Sequence, residues 1–283
     1  MSTFRSRPRA LALPFAIVAT FSIACVTRAE AAGVITRAEG ANAAAIQATV
    51  DAFRTSIGGA NNGVGPPAVT GRREINWDGV PDSFSAPNFL PPNFFNANSP
   101  RGVVFNTIQE SNGGSLNNFL VSADDSNPTT TPVRFADINP QYSSIFTTFS
   151  AQRLFTMRNA RSMDVSFFVP GTNIPAAVSA FGVVFADVDG TTGATRSVLR
   201  FVDDKGNIVL STSAGAFDNG LSFLGVSFNA GERITRVVIL PGTDALSSTA
   251  VDGAGGVDVV AMDDFIYAEP QSLFTTFANG FEN

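Results

Sequence analysis

Arg196-Ser197-Val198-Leu199-Arg200-Phe201-Val202-Asp203-Asp204-Lys205-Gly206-Asn207-Ile208-Val209-Leu210-Ser211 is two short apolar runs joined by a turn. Val, Ile, Leu and Phe suit a pleated, half-buried surface, and 203–207 has the Asp, Gly and Asn that a tight hairpin needs. A hairpin makes its two strands antiparallel. The text on either side has the same grammar. Residues 163–169, 178–188, 222–228, 233–240 and 257–267 are further strands rich in Val, Ile and Phe, and Asn229-Ala230-Gly231 is a second turn. Weaker candidates are 103–105, 118–122, 133–136 and 153–156. About eleven strands with no interleaved helices predict an all-β fold: an antiparallel two-sheet sandwich, jelly-roll-like. Phe167, Phe181, Phe185, Phe201, Phe223 and Phe265 are its expected core.

Outward from these strands, 42–57 is the one short N-terminal helix expected of the mature chain. Ile46, Val50, Phe53 and Ile57 fall on a single stripe. Asn42 caps the start and Gly58-Gly59 stops it. Residues 60–70 are rich in Asn, Gly and Pro and read as a flexible connector. The proline-rich loop 82–100 carries Phe84, Phe89, Phe94 and Phe95, so it should fold back over the core. The resulting plan is a signal peptide (1–31), a helix and linker (32–70), a β-sandwich domain (71–270) and a C-terminal tail (271–283).

The N-terminus has the order of a secretory signal. Arg5, Arg7 and Arg9 precede an apolar run over 10–24, and Ala29-Glu30-Ala31 offers a peptidase its small residues. That run is too short to cross a bilayer comfortably, so no stable membrane insertion is expected once it is removed. Its removal takes away Arg5, Arg7, Arg9, Arg28 and Glu30, which leaves 14 basic and 23 acidic residues, a net charge of −9. Such a chain repels phosphate backbones, so nucleic acid is excluded as a partner. The whole chain has no histidine, and its one cysteine, Cys25, lies inside the signal. Ser-His-Asp and Cys-His catalysis, disulfides and the usual zinc and copper sites are thereby excluded. The predicted location is secreted, either extracellular or periplasmic.

Several stretches resemble a group of secreted bacterial β-sandwich proteins often placed with the exosortase-sorted (PEP-CTERM) proteins. They are Gly71-Arg72-Arg73-Glu74-Ile75-Asn76-Trp77-Asp78-Gly79-Val80-Pro81, Asn98-Ser99-Pro100-Arg101-Gly102-Val103-Val104-Phe105, Phe181-Gly182-Val183-Val184-Phe185-Ala186-Asp187-Val188-Asp189, Leu221-Ser222-Phe223-Leu224-Gly225-Val226 and Val260-Ala261-Met262-Asp263-Asp264-Phe265-Ile266-Tyr267. The resemblance implies a jelly-roll domain over about 71–270 and no secure activity. The chain departs from that group in having neither a C-terminal hydrophobic helix nor a basic tail after Pro270. Phe277-Ala278-Asn279-Gly280-Phe281-Glu282 resembles the short tails of some other secreted proteins, either as a sorting signal or as a segment packed on the domain.

Calcium is the cofactor the remaining chemistry allows, since it takes six to eight oxygen ligands. Asp187 and Asp189 are two apart on an extended segment, so their carboxylates point the same way. Asp263 shares an otherwise apolar strand face, where an ionised carboxylate needs a metal or several donors. Adjacent Asp264 points to the opposite face unless a bulge intervenes. A metal set of Asp187, Asp189 and Asp263 is one reading; acids that cap turns and accept backbone N–H bonds are the other. Trp77 with Asp78 is the candidate ligand contact, a sugar-stacking ring beside a carboxylate, with a buried anchor as its alternative. Three functions follow. The first is a non-catalytic sandwich binding a glycan or cell-surface component. The second is a structural extracellular protein acting through protein–protein contacts. The third is a carboxylate-based glycan hydrolase. The sparse acids favour a non-enzyme.

Overall fold

A jelly roll requires a chain that crosses between two sheets after nearly every strand. The computed structural model describes residues 1–2, 33–107, 118–189 and 197–274. Ala31–Asn283 forms one compact unit. Its first elements are β1 (Val34–Gly40), α1 (Ala43–Ser56), β2 (Arg72–Ile75), α2 (Phe94–Ala97), β3 (Val103–Thr107), β4 (Phe119–Val121) and α3 (Tyr142–Ile145). Next come β5 (Phe155–Met157), β6 (Met163–Phe167), β7 (Ala176–Ala177), β8 (Ala180–Val188), β9 (Val198–Asp203) and β10 (Ile208–Ser213). The chain closes with β11 (Phe217–Ser227), β12 (Ile234–Leu240), β13 (Ala261–Ala268) and β14 (Gln271–Ser272).

One sheet runs β1-β11-β8-β13-β5-β4, with β2 also paired to β13; the other runs β10-β9-β12-β6-β3. All of these pairings are antiparallel. Within them, β5-β13-β8-β11 faces β6-β12-β9-β10, and the chain visits the eight as β5, β6, β8, β9, β10, β11, β12, β13. That is jelly-roll order, so the expected all-β, antiparallel two-sheet sandwich is what the chain forms. The hairpin expected at 203–207 is β9–β10. Gly206 takes its left-handed position (φ 84°), and the Asp203 carboxylate accepts the N–H groups of Lys205 and Asn207 at 2.9 and 2.8 Å.

The six phenylalanines expected in the core are all buried. Phe167 of β6 meets Phe181 of β8 edge-on across the sandwich, with ring centroids 6.2 Å apart. Phe105 of β3 packs tilted on Phe155 and edge-on against Phe265 of the facing sheet. The outer face of the larger sheet is covered too, which is why every residue of β8 and β13 is buried. Part of that cover is α1. Asn42 caps it, accepting the Ala45 N–H at 3.2 Å, and Ile46, Val50 and Phe53 are its buried stripe. The Phe53 ring lies over Gly182 and Gly225, which pair across β8 and β11. A Cβ on either glycine would stand 2.8–2.9 Å from that ring.

Four expectations change. Residues 34–40, read with the helix and linker, form β1 and pair with β11 along their whole length. Only Gly40 of that strand is fully buried, so no apolar alternation marked it. Of 133–136 only Val133 makes a bridge, to Ala123, and the rest is a turn, because Arg134 and Phe135 both adopt left-handed φ (52° and 63°). The connector 60–70 is pinned rather than loose. Arg73 and Glu269, both buried, form a two-pronged ion pair at 2.7 Å on each prong. Arg73 also donates to the carbonyls of Gly63, Gly65 and Pro66, and Glu269 accepts the Ala68 N–H. In loop 82–100, Phe94 and Phe95 are buried and Phe84 is partly covered as expected, but Phe89 is exposed. The signal peptide with Cys25 and the 277–282 motif lie outside the described residues. Among the described residues no helix is long and apolar enough to cross a membrane.

Candidate functional site

Asp187 and Asp189 stand where β8 leaves the sheet. The partner strand β11 slips register here: Phe217 pairs with Val188, yet Leu221 pairs with Ala186. The extra residues bulge, with Asn219 in left-handed φ (56°). The bulge aims the Asn219 N–H at Asp187 Oδ1 (2.7 Å) and brings Asp218 to the same end. The loop between β12 and β13 supplies Asp252, fixed by accepting the Val259 N–H at 3.1 Å. One oxygen each from Asp187, Asp189, Asp218 and Asp252 lies within 4.8 Å of all the others.

The electrostatics of this cluster are unfavourable without a cation. Asp187 is fully buried, and its Oδ2 has no hydrogen-bond partner among the described residues. Its backbone is in left-handed φ (67°), a region a non-glycine residue seldom occupies. Burial first, then the nearby Asp252, Asp189 and Asp218, push its carboxyl up to about 8, against the pull of the Asn219 amide. Asp189 and Asp252 are raised for the same reasons, burial before charge. Asp258 stands close by: its Oδ1 is 3.4 Å from the Asp189 N–H, and its Oδ2 is also buried without a partner. Burial and the neighbouring acids raise it to about 7. Four carboxylates and a buried oxygen lacking any donor fit a hard divalent cation.

Asp263 does not join this set. The register of β13 against β8 shifts by one residue between Met262 and Phe265, a bulge at the acidic pair itself. Both carboxyls thereby come within hydrogen-bonding reach of each other instead of facing opposite ways. Asp263 Oδ2 accepts the Phe149 N–H at 2.7 Å, and its Oδ1 accepts the Ser150 hydroxyl at 3.0 Å. Those donors meet the need that suggested a metal. Burial and the Asp264 charge hold Asp263 well above the usual carboxylate range. Asp264 is pushed up to about 6 by burial, although hydrogen bonds from Ser150 and Asp263 and then the Arg54 charge pull it down.

Trp77 is an anchor and not an exposed platform. It is 1% exposed, stacked on Phe155 at 4.0 Å with the rings 2° from parallel, and its Nε1 donates to the Asp263 carbonyl. Both tyrosines are buried as well. Asp78, half-buried, accepts the Arg153 N–H at 3.1 Å. The neighbouring Asn76 instead lines a polar cleft of about 380 Å³ between α1, β2, β13 and the 149–150 segment. Its lining includes Gln47, Arg54, Glu74, Asn76, Phe149 and Asp264. Arg54 spans Glu74 Oε2 (2.9 Å) and Asp264 Oδ2 (3.1 Å).

Of the acids singled out in the sequence, the structure brings Asp187 and Asp189 together and leaves Asp263 elsewhere. Asp218 and Asp252 were missed. Asp218-Asn219-Gly220 and Asp252-Gly253 read as turn text, and nothing in their spacing ties them to β8. The fold and its acidic end thus define a class, a jelly-roll β-sandwich with a cluster of four aspartates that could hold a metal ion. Comparisons of the chain with protein-family models, with curated proteins and with solved structures find no match.

Proposed function

We propose that the protein is a secreted, non-catalytic β-sandwich that carries one calcium ion at the end of β8 and binds a glycan or cell-surface component outside the cytoplasm. The observation that carries the calcium reading is the convergence of Asp187, Asp189, Asp218 and Asp252 around an unpartnered buried oxygen. Calcium binds oxygen at about 2.3–2.6 Å, so opposite ligands stand about 4.6–5.2 Å apart, and four oxygens lying within 4.8 Å of one another are close enough to share one ion. Magnesium, at about 2.0–2.1 Å, needs a tighter cage of octahedral geometry. Backbone carbonyls and water complete a calcium shell of six to eight. The basic, apolar, Ala-Glu-Ala order of the N-terminus and the resemblance to exosortase-sorted proteins support secretion, and calcium is plentiful in that setting.

One observation favours a hydrolase instead: Glu74 and Asp264 line one cleft. Glycosidase carboxylates must address a sugar bond from two sides. Here both accept from the same Nη2 of Arg54, so they sit side by side and partly neutralised. That arrangement supports binding over cleavage.

Thermal unfolding tests the calcium reading. In calcium at about 100 times its dissociation constant, the folded state should gain about 2.7 kcal/mol over EDTA-treated protein. For a domain of this size that is about 5–10 °C in Tm. Magnesium should give little of it, and Asp187→Asn or Asp189→Ala should remove it. A Tm indifferent to calcium and EDTA overturns the reading.

A further inference from the structure

The charges around the polar cleft are matched. Arg54 and Arg101 face Glu74 and Asp264, so the lining carries no net charge at neutral pH. A site for a phosphate, a carboxylate or a cation would show an excess of one sign. This one instead offers donors and acceptors in alternation. Gln47 Nε2 is committed to Asp51 at 3.0 Å, which turns its carbonyl oxygen free for a ligand. Asn76 is exposed on the rim with both its amide groups open. The guanidinium of Arg54 is held in place by Asp51, Glu74 and Asp264, so its geometry is set before any ligand arrives. Asp264 lies buried in the wall of the cleft, its carboxyl held by Arg54, Ser150 and Asp263. Beside these groups stands the half-buried ring of Phe149, with the Arg54 guanidinium 5.9 Å from its centroid.

Fixed planar hydrogen-bonding groups, no net charge and one flanking aromatic ring are what a neutral polyhydroxylated ligand requires. Its hydroxyls both donate and accept, and its C–H face packs on a ring. The volume, about 380 Å³, lies at the small end of the range for small-molecule sites, roughly 300–1,000 Å³. We infer that this cleft binds one or two neutral sugar units of an extracellular glycan, with Gln47, Arg54 and Asn76 as its hydrogen-bonding contacts and the Arg54–Phe149 pair as its wall. The inference rests on the reading of the protein as a glycan-binding module and names its site. It replaces Trp77 and Asp78 in that role. Trp77 belongs to the core instead, between Asn76 in the chain and the strand of Asp264, to which its bond to the Asp263 carbonyl joins it.

That position makes Trp77 a built-in reporter. Full-length secreted protein in calcium is titrated with cellobiose, xylobiose, maltose, mannobiose and lactose, read by Trp fluorescence and by isothermal titration calorimetry. Galacturonic acid and inorganic phosphate serve as charged probes. The expected result is saturable binding of at least one neutral disaccharide. Gln47→Ala and Asn76→Ala, two surface changes whose Tm should match the parent, should each weaken it about tenfold. No binding of any neutral sugar, a preference for the charged probes, or binding unaffected by both variants overturns the assignment. Turnover of a bound disaccharide, lost in Asp264→Asn, supports this cleft as the sugar site and overturns only the non-catalytic reading. A calcium-independent Tm with sugar binding intact removes the metal and leaves the cleft standing.

Discussion

Asp263 has no exposure to solvent, and its oxygens receive the Phe149 and Ser150 N–H groups and the Ser150 hydroxyl. Its carboxyl is raised by burial and by Asp264, whose own value is about 6 with Arg54 and Glu74 around it. A carboxyl whose folded value is raised favours the folded state most below its unfolded value of about 4, and that contribution is lost as pH rises through the folded value. The pair should therefore stabilise the protein most below about pH 4 and progressively less as pH rises from there through about 6, the Asp263 part being lost last. Asp263→Asn keeps an acceptor for the two amides and a donor for Asp264. Measured by urea unfolding in saturating calcium, it should stay within about 1 kcal/mol of the parent at pH 7 and flatten the slope between pH 5 and 8. Asp263→Ala strands the amides and should cost about 2–3 kcal/mol. An unaltered pH slope in Asp263→Asn would contradict a shared proton. At this scale the sequence was half legible. The i, i+2 spacing of Asp187 and Asp189 revealed their convergence. The bulge that turns Asp263 toward Asp264 leaves no mark in Met262-Asp263-Asp264-Phe265, and a lone Trp77 looks the same whether it is buried or displayed.

Among the elements, α1 was readable to the residue because its stripe, its Asn42 cap and its glycine stop are local signals. Its seat was not, because it depends on Gly182 and Gly225 meeting across two strands far apart in sequence. Phe53 fills the space their missing side chains leave, and it also meets Phe223 edge-on at 5.3 Å. Gly225→Ala or Gly182→Ala should force that ring aside and cost about 1–3 kcal/mol. Adding Phe53→Leu to either should recover part of the loss, a coupling that a double-mutant cycle in urea would register. Additive losses would mean that the glycines serve the strands alone. β1 escaped the sequence because it is an edge strand whose side chains are mostly uncovered, so partner β11 defines it more than its own residues do.

Over the whole molecule, the earliest strands pair with the latest. β1 joins β11 and β2 joins β13, across most of the chain. Closing such loops before their contacts form makes folding slow, and refolding by stopped-flow fluorescence of Trp77 should fall in the millisecond-to-second range. A microsecond phase carrying the full amplitude would contradict that. The sandwich itself was the most legible level, since many strands and turns point to one answer even when single boundaries fail. The ion pair of Arg73 with Glu269 has a further consequence at this scale. Arg72-Arg73 is a dibasic step of the kind that trypsin-like proteases cut, in a chain proposed to live among extracellular proteases. Its second arginine is sealed beneath 63–66 by a residue that arrives almost 200 positions later. Cleavage there needs the terminal strands to let go, so at this dibasic step resistance to proteolysis would follow the global unfolding equilibrium and not local fraying.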